Sequence, residues 1–140
     1  MTMPLTLLWL LPLVGAVVCA LMGSRAKYAA LAFSALFLGL VVGIGFVQST
    51  NAALKIIHEI GPVWAYGISY RLSADSLSIG LIALTAFLNL ICVGASWELE
   101  VSAGYWACFM ALSSALTGVF LARDLFFFYM FWEATLIPMF

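Results

Sequence analysis

Residues 4–47 read PLTLLWLLPLVGAVVCALM, then GSRAK, then YAALAFSALFLGLVVGIGFV. Two apolar runs, 4–22 and 28–47, flank a short polar break that holds Arg25 and Lys27. An α-helix rises about 1.5 Å per residue, so each run reaches close to the ~30 Å of a hydrocarbon core. The pattern predicts two membrane-spanning helices joined by a tight polar turn. The first run is not a secretory leader. A leader carries its positive charge before the apolar stretch, whereas here no Lys or Arg precedes it and two follow.

Working outward, the remaining ionisable residues are Lys55, His58, Glu59, Arg71, Asp75, Glu98, Glu100, Arg123, Asp124 and Glu133. Between them lie further apolar runs at 76–96, 105–122 and 125–140. The fold class is therefore an all-α membrane protein, a polytopic transmembrane bundle of about five helices over residues 1–140. The fifth run covers only ~24 Å at the helical rise. It stops at Ile137-Pro138-Met139-Phe140 with no polar flank, so the chain is expected to be the N-terminal part of a longer subunit. Composition excludes the other classes. Hydrophobic residues make up 66% and charged residues 8% of the 140, against about 45–50% and about 25% in soluble domains. Disorder needs low hydrophobicity. With Lys+Arg 5 and a net charge of −1, no basic patch suits nucleic acid.

Cys19, Cys92 and Cys108 sit apart inside apolar runs, without a His at metal-ligand spacing. The chain has no Gly-rich phosphate loop, no CxxC and no haem or iron–sulfur spacing. No metal site and no redox centre are expected in it.

Residues 48–75 are too polar to span. Ala53, Leu54, Ile56, Ile57 and Ile60 recur at helical spacing opposite Lys55, His58 and Glu59, which predicts a short interfacial amphipathic helix ended by Gly61-Pro62. Tyr66, Ile68, Tyr70 and Leu72 then alternate with Gly67, Ser69, Arg71 and Ser73, the period of a short strand. Small residues mark two expected close-packing seams: Ala35, Gly39 and Gly43, and Ser114, Gly118 and Ala122 together with Ala111 and Ala115. Ser78, Thr85, Asn89 and Ser96 form a polar stripe that either bonds neighbouring helices or lines a hydrated path. Asn89 matters most, because an amide in mid-membrane needs partners.

Glu133 is the one ionisable side chain inside an expected span. It lies nine residues beyond Asp124, which starts that helix, so it sits ~13–14 Å deep. A charge there costs at least about 2.5 kcal/mol and by default marks a functional group with a partner. Burial favours the neutral acid and a nearby cation favours the carboxylate. A proton relay uses that dependence, so Glu133 is the candidate relay group. Tyr129, one turn earlier, can hydrogen-bond it; Asp124 and Asn89 are candidate supports. Pro138 cannot donate to the Ala134 carbonyl and should weaken the helix there.

Gly118-Val119-Phe120-Leu121-Ala122-Arg123-Asp124-Leu125, Phe128-Tyr129-Met130-Phe131-Trp132-Glu133 and Leu136-Ile137-Pro138-Met139 closely resemble the antiporter-like membrane subunits of respiratory complex I, the chain M or subunit 4 family of NADH-quinone oxidoreductase. Tyr70-Arg71-Leu72-Ser73-Ala74-Asp75-Ser76-Leu77-Ser78 resembles the approach to the third helix of the same subunits. The resemblance covers all of this chain and about the first third of a family member. It implies proton translocation driven by quinone reduction elsewhere in the complex, with Glu133 matching a glutamate that pairs with a lysine on a later helix. It implies that NADH, flavin, iron–sulfur clusters and quinone belong to partner subunits. It further implies that the partners are other complex I membrane subunits, lipid and protons, in a bacterial inner membrane. Ser73 and Ser76 depart from the glycines common in relatives, and Ser113 stands where some carry an acid or amide. A cation/proton antiporter or membrane-bound hydrogenase subunit, and a catalytically silent scaffold, are the competing readings.

Arg25 and Lys27 follow the first helix, so the positive-inside rule places 23–27 and the 97–104 loop in the cytoplasm and 48–75 outside. Single cysteines placed as Ser49→Cys and Ser102→Cys should label from outside and inside respectively. Labelling of Ser102→Cys from outside alone would reverse this topology.

Overall fold

The computed structural model describes residues 4–50, 56–62 and 69–139. Its elements are α1 (Pro4–Met22), a 3-10 turn (Gly23–Arg25), α2 (Ala26–Thr50), β1 (Ile56–Pro62), β2 (Ser69–Ala74), α3 (Ser76–Ala95), α4 (Ala103–Leu121) and α5 (Leu125–Met139). The chain is an integral membrane helical bundle. Its apolar stretch Leu5–Val47, and α3 and α4, are long and apolar enough to cross a bilayer. Gly23 breaks the first stretch in two by taking a left-handed φ of 53°, where a side chain would be strained.

α4 is the hub. It packs on α1, α5, α3 and α2, while α1 also packs on α2 and α2 on α3. The core has two apolar clusters. One gathers Leu5, Leu8, Phe37, Val41, Leu72, Ile79, Ile82 and Leu121 at the end bearing the strands. The other gathers Ala16, Cys19, Ala26, Ala30, Val93, Trp106 and Met110 at the end bearing the Gly23–Arg25 turn.

α1 carries Pro12 in its interior. A proline there removes one backbone bond and crowds the preceding turn. Ser114 of α4 donates to the backbone carbonyl of Trp9 at 2.6 Å. A hydroxyl from a neighbouring helix thus supports the turn that proline disturbs, a recurrent remedy in lipid.

Two sequence expectations are corrected. Residues 56–60 are not part of an amphipathic helix. They form β1, antiparallel to β2, with Ile57 opposite Ser73 and Ile60 opposite Tyr70. Helical spacing of Ile56, Ile57 and Ile60 was equally compatible with β-branched strand chemistry, and the partner strand decides by satisfying the backbone. Ala53, Leu54 and Lys55, and the alternating residues Tyr66 to Ile68, lie outside the described residues. β2 packs on α1, α3 and α4, burying Leu72 and Ala74.

The second correction concerns the α2 seam. Ala35, Gly39 and Gly43 are exposed, and among the described residues a Cβ at Gly39 or Gly43 would meet nothing within 4 Å. The buried face of α2 is instead Ala26, Ala30, Ser34, Phe37 and Val41. On α4 the expected seam is present. Ser114 and Ala115 are buried, and Gly118 lies directly under the ring of Phe131 of α5, where a Cβ would collide.

Two glycines therefore separate a contact from an open face. Gly118→Ala must displace Phe131 and should lower stability by about 1–3 kcal/mol, the usual cost of overpacking. Gly39→Ala should be neutral or stabilising by up to about 1 kcal/mol through helix propensity. Thermal unfolding of the purified subunit in detergent checks both, and equal responses would contradict this packing.

Candidate functional site

α5 meets the bundle along Phe127, Phe131, Ala134 and Pro138, spaced four, three and four. Phe131 is buried and the other three are half-buried. Phe131 also meets Trp9 of α1 edge to face, with centroids 5.4 Å apart. This stripe fixes the rotation of α5. Its opposite face carries Phe126, Tyr129, Met130, Glu133, Leu136 and Ile137, all exposed on this chain. Glu133 thus points away from the described bundle, with Tyr129 one turn earlier on the same exposed face.

Asp124 does different work. Its Oδ1 accepts the backbone N–H of Phe126 at 2.8 Å, and its carbonyl accepts that of Phe128 at 2.9 Å. It is the N-cap of α5, satisfying a donor the helix cannot. In the structure Asp124 thus caps the start of α5, and its side-chain hydrogen bond is to that helix start, not to Glu133. The neighbouring Arg123 forks onto Asp75 at 3.0 and 3.2 Å, tying the α4–α5 junction to the start of α3. Both side chains are nearly half exposed (45% and 47%), so the pair contributes at most about 1 kcal/mol.

Asn89 lies elsewhere. It is buried on α3 in line with Ile79, Ile82, Ala86 and Val93, between the two apolar clusters. Ser34 of α2 donates to its Oδ1 at 3.1 Å, sharing that hydrogen with the Ala30 carbonyl at 2.7 Å. The Asn89 amide donates to Ser113 of α4, whose hydroxyl passes its own hydrogen to the Phe109 carbonyl at 3.2 Å. Three helices are thus joined by one run of donors and acceptors. The rest of the polar stripe is not continuous with it. Thr85 bonds back to Leu81 of its own helix at 2.9 Å, and Ser96 meets Tyr105 at 3.3 Å near the far end.

The structure therefore brings Asn89 to Ser34 and Ser113, places Tyr129 and Glu133 on one exposed face of α5, and does not join the two groups. Ser34 was missed from sequence, since a lone serine in an apolar run carries little signal. Ser114 was read as a small residue alone, although Pro12 signalled a turn in need of a donor. Among the described residues no group of three His, Cys, Asp or Glu could hold a metal ion.

The Asn89 clasp is testable by a double-mutant cycle. Interhelical hydrogen bonds in membranes average about 0.6 kcal/mol, with a maximum near 1.7. Asn89→Ala should cost about 1–3 kcal/mol, because it breaks two and strands their partners. Ser113→Ala should cost less, and the double variant less than the sum. Strict additivity in detergent unfolding would remove the clasp.

No family model matches the chain. Curated relatives do. It is 33% identical over 147 residues to NADH-quinone oxidoreductase subunit M of Rhodobacter capsulatus, covering 97% of this chain and 28% of the relative. It is 30% identical over 143 residues to NAD(P)H-quinone oxidoreductase chain 4 2 of Thermosynechococcus vestitus, covering 97% and 27%. It is 31% identical over 144 residues to F(420)H(2) dehydrogenase subunit M of Methanosarcina mazei, covering 96% and 28%. The chain thus spans little more than a quarter of these relatives. Its fold is similar to a chain of the membrane-bound sulfane sulfur reductase, an archaeal respiratory membrane complex. The TM-score is 0.81 at 19% identity, over 96% of this chain and 22% of the other.

Proposed function

The chain belongs to the family of NADH-quinone oxidoreductase subunit M and chain 4, and from that membership we propose that it supplies part of a proton path in such a complex, with Glu133 as the group that gains and loses the proton. The observation that carries this reading is the position of Glu133. It stands on the α5 face turned away from the bundle, about 12 Å along the helix from Leu125 at the helical rise. A carboxyl at that depth is not left against lipid without strong cost. It needs a covering helix, and a cation on that helix would set whether it holds its proton.

Tyr129, one turn earlier on the same face, is the i, i+4 neighbour of Glu133 on the helix surface. Asp124 fixes the start of α5, and the Phe131–Gly118 contact fixes its rotation. Chemistry at this site is proton exchange at one carboxyl, with no bond made or broken in a substrate. The names of the relatives carry different electron donors, NADH, NAD(P)H and F(420)H(2). That variety supports a membrane part indifferent to the donor, with NADH, flavin, iron–sulfur clusters and quinone held by partner subunits. The location that goes with this reading is a bacterial inner membrane.

Glu133→Gln in the assembled complex tests it. Gln keeps the size and can still hydrogen-bond but does not titrate near neutral pH. Proton pumping should fall at least about tenfold, in the range general acid–base groups contribute, with normal assembly. Glu133→Asp should keep part of the activity. Pumping at the wild-type level in Glu133→Gln would favour a silent scaffold instead.

A further inference from the structure

At the end of the bundle opposite the strands, the Gly23–Arg25 turn and the α3–α4 loop enclose a cavity of about 500 Å³. That volume is in the range of small-ligand sites. Ser24, Lys27, Trp97, Glu98, Glu100 and Trp106 are among its lining residues. Trp106 is buried at 3% exposure and belongs to the second core cluster, so one wall is rigid. Tyr28 meets Trp97 and Tyr105 meets Trp106 edge to face behind this lining, at the helix ends, where aromatic side chains mark the lipid headgroup layer.

The charges in this cavity are arranged unusually. The Lys27 ammonium lies 5.1 Å from the Trp97 ring centroid and 5.5 Å from that of Tyr28, and these two rings meet edge to face. Aromatic faces hold this cation. Among the described residues, neither Glu98 nor Glu100 makes an ion pair with it. One cation and two carboxylates therefore share a cavity without neutralising one another.

We propose that this cavity binds the headgroup of a zwitterionic phospholipid bearing a primary ammonium, namely phosphatidylethanolamine. Lys27 donates to the phosphate, while Glu98 and Glu100 accept from the ammonium. The alternatives fit less well. An anionic headgroup would bring its charge against two carboxylates. A trimethylated choline has no N–H to give them, and the aromatic face that would attract it is already covered by Lys27. A primary ammonium has three N–H donors for the carboxylates, and charge-assisted bonds of this kind are the strong ones. The proposal does not depend on the role of Glu133, which is not among the residues lining the cavity.

The experiment uses the assembled complex, stripped of lipid in detergent and exposed to micelles holding equal phosphatidylethanolamine, phosphatidylcholine and phosphatidylglycerol. Lipids retained on this subunit are counted by native mass spectrometry after dissociation of the complex. The wild type should retain phosphatidylethanolamine about tenfold over the other two, the effect of roughly one charge-assisted hydrogen bond. Glu98→Gln with Glu100→Gln should abolish that preference, Lys27→Gln should lower retention, and Lys27→Arg should restore it. The wild-type competition stands even where a variant fails to assemble. Equal retention of the three lipids, a preference for phosphatidylglycerol, or an unchanged preference in the double Gln variant would overturn the proposal.

Discussion

Hydrocarbon offers no hydrogen bonds, and this constraint governs every polar atom placed within the bundle. The Asn89 amide meets it by bonding Ser34 and Ser113. That solution has a geometric consequence. It fixes which faces of α2, α3 and α4 look at one another, because a rotation of any one breaks a bond that lipid cannot replace. Apolar contacts alone would not do so, since lipid tails are as apolar as Leu. The clasp sits where the two apolar clusters meet, between Ala86 and Val93 on α3 and between Ala30 and Phe37 on α2.

From that clasp the rotation of the outer helices follows. Holding Ser113 toward α3 turns the neighbouring face of α4, with Ser114, Ala115 and Gly118, toward α1 and α5. Ser114 then reaches the Trp9 carbonyl, and Gly118 receives the Phe131 ring. Phe131 in turn stacks edge-on against Trp9. Once Phe131 is seated, α5 has one rotation available, and Glu133 faces outward. A residue with no contact to Glu133 thus contributes to where its carboxyl points.

Much of this was legible in the residues. The apolar runs marked the helices, because 11 charged side chains (Lys+Arg 5, Asp+Glu 6) cannot cover a soluble domain. Ser114 and Gly118 marked a true seam. The α2 glycines did not, since a small residue permits close approach without requiring it; Gly39 and Gly43 face outward because Ser34, Phe37 and Val41 hold the other side of the helix. The isoleucines at 56, 57 and 60 were ambiguous for a related reason. Spacing alone does not distinguish a short helix from a strand when the deciding partner, β2, lies beyond the window. Ser34 was illegible because its role exists only once Asn89 is placed beside it.

Asn89 and Glu133 therefore differ in kind. Asn89 has its partners within the described bundle, on helices that also bury it to 3% exposure. Both polar atoms of its amide have a partner within the bundle, without anything arriving from outside. Glu133 has Tyr129 on its own helix and otherwise an exposed apolar face. Tyr129 carries no charge to balance a carboxylate, and under the proposed function that balance is supplied by an element beyond the described helices. A carboxyl whose charge is balanced by a separate element responds to that element's movement, whereas an internally satisfied amide does not. The same bundle holds one polar group fixed and leaves the other answerable to its surroundings, and this physical distinction supports assigning the proton to Glu133 rather than to the Asn89 clasp.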